Sequence, residues 1–178
     1  MKILAISGSL RANSSNTAVL RAMARLAPEG VEVALFDGIG ELPFFNPDLD
    51  GDQVPQPVAR FRALIGNADG ILISSPEYAR GVAGVLKNAL DWLVASLEFP
   101  NKPVALINTS PRATHALAAL TLTLETMSAQ LVRDASMTVP LLGTASGEAP
   151  ILADAALAEP LRGAIARFAA SIKVLAQS

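Results

Sequence analysis

Cysteine is absent from this chain, and histidine occurs only once, as His115. Without thiols the sequence excludes disulfides, thiolate zinc sites and a cysteine nucleophile, and a single imidazole excludes a multi-histidine metal centre. No apolar run reaches the length of about 18 residues that suggests a membrane span. No signal-peptide n-region precedes the first strand-like segment, so we expect a cytoplasmic protein with no membrane partner.

Charge is sparse and nearly balanced. Lysine and arginine number 14 and aspartate and glutamate number 16, which leaves a formal net charge of −2. No basic stripe is present that could neutralise a run of phosphates, so we expect no nucleic-acid partner. Hydrophobic residues make up 51% of the 178 residues, too many for a disordered chain. This length predicts one domain that covers residues 1–178.

Short apolar runs alternate with longer amphipathic ones along the chain. The predicted strands are 2–7, 31–36, 70–74, 103–108 and 132–139. The predicted helices are 14–27, 57–67, 82–97, one that carries Leu117, Leu120, Leu124, Met127 and Leu131 on one face, and one from Leu157 to Leu175 that restarts at Pro160. The pattern predicts a doubly wound α/β three-layer sandwich, whose five-stranded parallel sheet has the order 2-1-3-4-5.

Ligands of such a fold bind beyond the carboxyl ends of the strands, at the point where the strand order reverses. The loops after the first, third and fourth predicted strands are 8–16, 75–81 and 109–115, and we expect them to face one another. Two further connections, 37–56 and 140–153, are long for a compact domain and are typical of functional loops.

The first of these loops is rich in hydroxyl and amide side chains. The segment from Gly8 to Thr17 reads Gly-Ser-Leu-Arg-Ala-Asn-Ser-Ser-Asn-Thr and ends at a predicted helix N-terminus, where free backbone N–H groups attract anions. Arg11 adds a positive charge suited to phosphate, while Ser14 alone would suffice as a helix cap. The loop lacks the lysine of a Walker A motif and the glycines of a dinucleotide fingerprint. The pattern therefore predicts a phosphate monoester held without Mg²⁺.

The second loop contains the chain's only tyrosine, Tyr78, within Ser-Ser-Pro-Glu-Tyr-Ala-Arg-Gly-Val-Ala-Gly. Pro76 and the two glycines restrict the backbone to a path that can approach a flat ligand closely.

Two motifs together make the chain resemble the NAD(P)H-dependent FMN reductases, which are flavodoxin-like enzymes that include chromate and quinone reductases. They are Gly-Ser-Leu-Arg-x-x-Ser-x-Asn after the first strand, and Pro-Glu-Tyr with Leu-Lys-Asn-Ala-Leu-Asp-Trp after the third. The resemblance extends from Met1 to about Val139. It departs from the family's pattern at Ala79, where asparagine is frequent, at Ala83, and in the loop from Ser110 to His115.

This resemblance implies FMN as cofactor and assigns two groups of residues to it. The phosphate group would be held by Ser9, Arg11, Ser14, Ser15, Asn16 and Thr17. The isoalloxazine would be lined by Pro76, Glu77, Tyr78, Ala79, Gly81, Ser110 and Pro111, mainly through backbone groups. The segment Lys87 to Trp92 would lie close to the interface of a homodimer or homotetramer.

The implied activity is NAD(P)H oxidation in a ping-pong cycle that passes electrons to quinones, free flavins, azo compounds or chromate. No catalytic side chain is assigned, because the flavin carries the chemistry. We expect Arg80 or Arg112 to contact a phosphate of NADPH or NADH. Two alternatives stay open: a cofactor-free binding or regulatory protein, and a flavodoxin-type electron carrier, which the small net charge and the 4% of aromatic residues disfavour.

Overall fold

A computed structural model describes residues 1–51, 53–141 and 147–177 of the chain. The strands are β1 (Lys2–Ser7), β2 (Glu32–Phe36), β3 (Gly70–Ser74), β4 (Glu77–Tyr78), β5 (Gly81–Val82), β6 (Pro103–Asn108), β7 (Gln130–Leu131) and β8 (Met137–Thr138). The helices are α1 (Ser15–Leu26), α2 (Gln56–Asn67), α3 (Gly84–Asp91), α4 (Thr114–Thr126), α5 (Glu148–Ala153) and α6 (Ala155–Leu175). Within the described ranges, no helix is both long enough and apolar enough to span a membrane.

The main sheet is parallel and has the order β2-β1-β3-β6-β7, with β8 paired to the end of β6. The two short strands β7 and β8 both pair with β6 and together take the place of the fifth predicted strand. The predicted strand order is therefore confirmed. Its reversal lies between β1 and β3, so the loops that follow these two strands diverge and leave a crevice between them.

Both faces of the sheet are covered, because each central strand sends alternate apolar side chains to opposite sides. Ile3 and Leu72 pack in one buried cluster with α1 and α6. Their neighbours Leu4 and Ile71 pack in the other cluster with α2, α3 and α4. The rigid sheet thus carries its loops at fixed positions on one edge.

The fifth predicted strand, 132–139, is wrong as a continuous element. Between β7 and β8 the chain turns through a short 3₁₀ segment, Arg133–Ala135. Ser136 replaces the missing strand contacts, because its hydroxyl donates to the Val132 carbonyl at 2.9 Å and accepts from the Leu106 N–H at 3.0 Å.

Two helices end earlier than the periodicity predicts. α3 stops at Asp91 rather than at residue 97, and the next carbonyl, that of Trp92, accepts a hydrogen bond from Arg62 Nε at 2.9 Å. α4 stops at Thr126 because Ser128 adopts a left-handed backbone (φ 64°), and Leu131 therefore lies in β7.

The long connections also differ from a simple loop. The segment 140–153 contains α5, and α6 runs through Pro160 without restarting. The second loop forms a hairpin of β4 and β5, which sequence periodicity did not indicate.

Candidate functional site

The loops after β1, β3 and β6 meet at the carboxyl edge of the sheet, as the fold predicts. They enclose a cleft of about 270 Å³. Its lining residues are Asn16, Ser75, Pro76, Glu77, Asn108, Thr109, Ser110, Arg112 and Ala113. The loop after β1 is joined to β3 by a hydrogen bond from the Gly8 N–H to the Ser74 carbonyl, at 2.8 Å.

Gly8 permits this close approach of two loops. A Cβ atom built on Gly8 would lie 2.5 Å from the Ser75 hydroxyl oxygen and 3.0 Å from the Ser75 Cβ. Atoms at such distances overlap, so a side chain at this position would force the Ser75 side chain or the loops themselves to move. Glycine at this position therefore keeps the crevice between β1 and β3 narrow.

Asn16 is the buried centre of the site, with only 6% of its surface exposed. Its Oδ1 accepts from the Ser74 hydroxyl at 2.9 Å and from the Thr109 hydroxyl at 3.2 Å, so one side chain joins all three loops. Its Nδ2 has no hydrogen-bond partner in the described part of the chain, and Asn16 lines the cleft. This donor is thus available to a ligand in the cleft.

The N-terminus of α1 is open toward an anion. Ser14 caps it by accepting from the Thr17 N–H at 3.3 Å, as its identity suggests. The N–H groups of Ser15 and Asn16 have no partner among the described residues, and the first turn holds no acidic side chain. Arg11 is exposed beside this turn and forms no ion pair with any described residue. Together these groups can bind a phosphate.

Other side chains of the first loop hold its shape. The hydroxyls of Ser7 and Thr17 lie 2.8 Å apart and share a hydrogen bond. The Ser9 hydroxyl accepts from the Arg11 N–H at 3.4 Å. These contacts order the loop before a ligand binds, which lowers the entropic cost of binding.

The second loop carries backbone strain beside the cleft. Ala79 and Arg80 join β4 to β5, and both have positive φ angles, 49° and 60°. Such angles are usual in the two-residue turns of hairpins, but glycine or asparagine normally occupies them. Tyr78 and Gly81 flank this turn, and Tyr78 is 54% exposed.

Glu77 makes a contact that joins two loops. Its Oε2 accepts from the Ala116 N–H, in the first turn of α4, at 2.9 Å. Glu77 and the residue that precedes α4, Ala113, both line the cleft. The carboxylate therefore connects the wall formed by the hairpin to the wall formed by the third loop.

The third loop is braced by Asn108, at the end of β6. Its Nδ2 donates to the Ser110 carbonyl at 2.8 Å, and its Oδ1 accepts from the Ser110 N–H at 3.2 Å. Arg112 lines the cleft and Pro111 is exposed next to it. Arg80 and Arg112 form no ion pair in the described part of the chain, so both guanidinium groups can meet an anionic ligand.

The cleft brings together only part of the predicted set. Five residues of that set line it directly: Asn16, Pro76, Glu77, Ser110 and Arg112. The other predicted residues lie outside this lining. They belong to the first loop and the first turn of α1 (Ser9, Arg11, Ser14, Ser15 and Thr17), to the hairpin (Tyr78, Ala79, Arg80 and Gly81) and to the third loop (Pro111).

Sequence reasoning assigned no role to Ser75, Asn108 and Thr109. Each of these polar residues lies at the end of a buried strand or directly after it. This position in the sequence could have identified them as residues of the site.

Comparisons with known proteins agree on one group. The model of a family described as NADPH-dependent FMN reductase matches residues 1–141. An NAD(P)H-dependent FMN reductase of Pseudomonas aeruginosa is 43% identical over 112 residues, and a 2-hydroxy-1,4-benzoquinone reductase of a Burkholderia species is 42% identical over 113 residues. Each match covers 62% of this chain, but only 60% and 61% of the two relatives.

A solved structure extends the likeness to nearly the whole chain. It is FerB of Paracoccus denitrificans, described as a flavoenzyme NAD(P)H:(acceptor) oxidoreductase. It is 30% identical, has a TM-score of 0.78, and the match covers 97% of both chains.

Proposed function

Because the chain belongs to the family of NADPH-dependent FMN reductases, we propose that it is an FMN-dependent NAD(P)H oxidoreductase, with residues 1–178 as one FMN-binding domain. The acceptors would be quinones, free flavins or similar small molecules such as azo compounds and chromate. Two relatives support the flavins and quinones in this range, since one is named an FMN reductase and the other a benzoquinone reductase.

The observation that carries the proposal is the open N-terminus of α1 beside a narrow cleft. FMN ends in a phosphate monoester, and the unpartnered N–H groups of Ser15 and Asn16 together with Arg11 match that group. An acidic residue in this turn would repel it, and none is present in the first turn. The residues present therefore fit FMN.

The proposed roles divide by position in the site. The first loop holds the phosphate through Ser9, Arg11, Ser14, Ser15, Asn16 and Thr17. The hairpin and the third loop hold the ring through Pro76, Glu77, Tyr78, Ala79, Gly81, Ser110 and Pro111. The Nδ2 of Asn16, which lines the cleft, adds a further donor.

When bound, FMN would supply the chemistry of hydride acceptance from NAD(P)H and of electron donation to the second substrate. The chain's own contribution is to orient the ring between the hairpin and the third loop and to leave one face open to both substrates in turn. The guanidinium of Arg80 or Arg112 would bind a phosphate of the nicotinamide nucleotide. Backbone N–H groups along both walls would stabilise negative charge that develops on the ring.

The first test is the visible absorption spectrum of the purified protein, repeated on the supernatant after heat denaturation. We expect a flavin spectrum that is released by heat and that co-elutes with FMN in chromatography. A colourless protein that also fails to bind added FMN would contradict the proposal and favour a cofactor-free binding protein.

The second test separates an enzyme from an electron carrier. We expect the FMN-loaded protein to oxidise NADPH or NADH with multiple turnovers when a benzoquinone is present. Bound FMN without such turnover would favour a carrier. Arg80→Ala and Arg112→Ala variants then test the nicotinamide site, because at least one should raise the KM for NADPH.

Assembly belongs to the same proposal, as a homodimer or homotetramer through the region of Lys87 to Trp92. In this segment Trp92 is fully buried in the protomer, so its side chain packs beneath the proposed interface and does not take part in it. Lys87 and Asp91 are ion-paired and partly exposed, which makes them the charged groups available to a second copy. Light scattering coupled to gel filtration measures the mass, and a monomer at working concentrations would contradict this part.

A further inference from the structure

Helix α4 begins without a capping residue of its own. The residue before its first turn is Ala113, which has no side-chain acceptor, although helices usually place serine, threonine, aspartate or asparagine there. The acceptor comes instead from Glu77, which lies 39 residues earlier and binds the Ala116 N–H at 2.9 Å. The cap of α4 is therefore a tertiary contact rather than a local one.

This contact spans the cleft. Glu77 lies in the hairpin and pairs with Val82 across its two strands, whereas Ala116 is the third residue of α4, which follows the loop from Thr109 to Ala113. Residues on both sides of the hydrogen bond line the cleft. Any movement that widened the cleft at this point would break the bond between the carboxylate and the helix.

We infer that Glu77 is a positioning residue, whose side chain sets the distance between the hairpin and the third loop and thereby the width of the cleft for the flavin ring. The inference rests on the proposed function. It assigns the side chain a role besides the ring contact proposed for the residue.

Electrostatics favours this arrangement. The N-terminus of a helix carries a partial positive charge that a carboxylate stabilises, and hydrogen bonds to charged groups are the stronger ones. The hairpin that this contact anchors has a turn with two positive φ angles, at Ala79 and Arg80. The free energy of the Glu77 contact offsets that backbone strain.

The experiment compares Glu77→Ala with Glu77→Gln, which keeps an acceptor oxygen. Without FMN, amide hydrogen exchange at Ala116 should be about tenfold faster in Glu77→Ala, because the N–H has lost its acceptor. With FMN, titrated by quenching of its fluorescence, Glu77→Ala should bind about tenfold more weakly, whereas Glu77→Gln should stay within about threefold of the unmodified protein. Glu125→Ala is the matched control, since that carboxylate lies near the other end of α4 and pairs with Arg133.

A second pair of variants separates positioning from simple helix capping. Ala113→Ser provides a local cap for α4 without joining it to the hairpin. If Glu77 positions the cleft, Glu77→Ala should weaken FMN binding about as much in the Ala113→Ser background as alone, although protection at Ala116 returns. The comparison is made within each background, so any direct effect of the serine on FMN cancels.

Three results would overturn the inference. One is unchanged FMN affinity in Glu77→Ala, and another is an affinity of Glu77→Gln as low as that of Glu77→Ala. The third is full recovery of affinity in the double variant, which would reduce Glu77 to a helix cap. Failure of the unmodified protein to bind FMN would instead contradict the proposed function, and the exchange at Ala116 would still report whether the contact exists.

Discussion

The amino and carboxyl edges of the sheet differ in how the polar groups of their loops and helix ends are hydrogen-bonded. At the amino edge, side chains and the chain terminus satisfy the ends of neighbouring elements. The Met1 ammonium donates to the Gly30 carbonyl at 3.0 Å, and the Lys2 N–H donates to Asp69 Oδ2 at 2.6 Å. Lys102 Nζ donates to the Gly66 and Ala68 carbonyls, at 3.0 and 2.6 Å, at the C-terminal end of α2.

The carboxyl edge leaves corresponding groups open or held under strain. The N–H groups of Ser15 and Asn16 have no partner among the described residues, and Ala79 and Arg80 keep positive φ angles. Left-handed backbone occurs at the amino edge too, at Asn101 and Ser128. Asparagine adopts it readily, and at Ser128 it terminates α4 in the usual way. Unpartnered donors and strained backbone are common at ligand-binding sites, so the difference supports the FMN site proposed at the carboxyl edge.

The largest effect is expected from replacing Asn16, which joins the three loops at the carboxyl edge. Asn16→Ala leaves the hydroxyls of Ser74 and Thr109 buried without their shared acceptor. We expect the free energy of unfolding, measured by urea denaturation, to fall by about 2–4 kcal/mol, and FMN binding to weaken more than about thirtyfold. Asn67→Ala at the amino edge is the control and should stay within about 0.5 kcal/mol. Equal losses in both variants would remove the distinction between the edges.

A binding effect without a stability effect is expected at Arg11. Arg11→Ala removes an exposed charge with no ion pair in the described chain, so the unfolding midpoint in urea should not change. FMN affinity should fall about tenfold or more, and less at high salt, because a charge-assisted bond to phosphate is lost. Arg21→Ala, exposed on α1, is the control. An unchanged dissociation constant would exclude Arg11 from the phosphate site.

The sequence predicts some features of the carboxyl edge and not others. The strand order and the meeting of three loops follow from local patterns, because buried strands and polar runs are each visible within a few residues. The contact of Glu77 with Ala116 joins positions 39 residues apart, and no local pattern encodes it. The roles proposed for the residues of the first loop in binding phosphate stay predictions.

The errors in the predicted elements have the same origin. Leu131 continues the spacing of Leu120 and Leu124, but the chain leaves the helix at Ser128, where no glycine marks the left-handed position. The fifth predicted strand is interrupted by the 3₁₀ turn Arg133–Ala135, and the Ser136 hydroxyl bonds to the Leu106 N–H in place of the strand ladder. Periodicity therefore failed where one side chain or one backbone angle overrides it.

A smaller effect is expected from relieving the strained hairpin. Asparagine adopts positive φ more readily than alanine, so Ala79→Asn should raise the free energy of unfolding by up to about 1 kcal/mol and slow amide exchange in residues 77–82. Ala63→Asn, exposed within α2, should instead destabilise by about 0.5 kcal/mol, because asparagine is a poorer helix former. Destabilisation by both variants would show that the turn holds no strain that asparagine relieves.

The smallest effect is expected at Lys102, whose ammonium group binds the carbonyls at the end of α2. Partial burial lowers the pKa of its ammonium group below 10.5, although nearby Asp69 acts in the opposite direction. Between that lowered pKa and 10.5 the unfolded chain binds more protons than the folded one, so stability from this group rises with pH. The difference in unfolding free energy between the unmodified protein and Lys102→Met should therefore grow from pH 8 toward about pH 10.5. Groups that titrate equally in both proteins cancel in this difference. A difference that shrinks with pH would mean that the cation is the favoured capping form and that the carbonyls of α2 outweigh its desolvation.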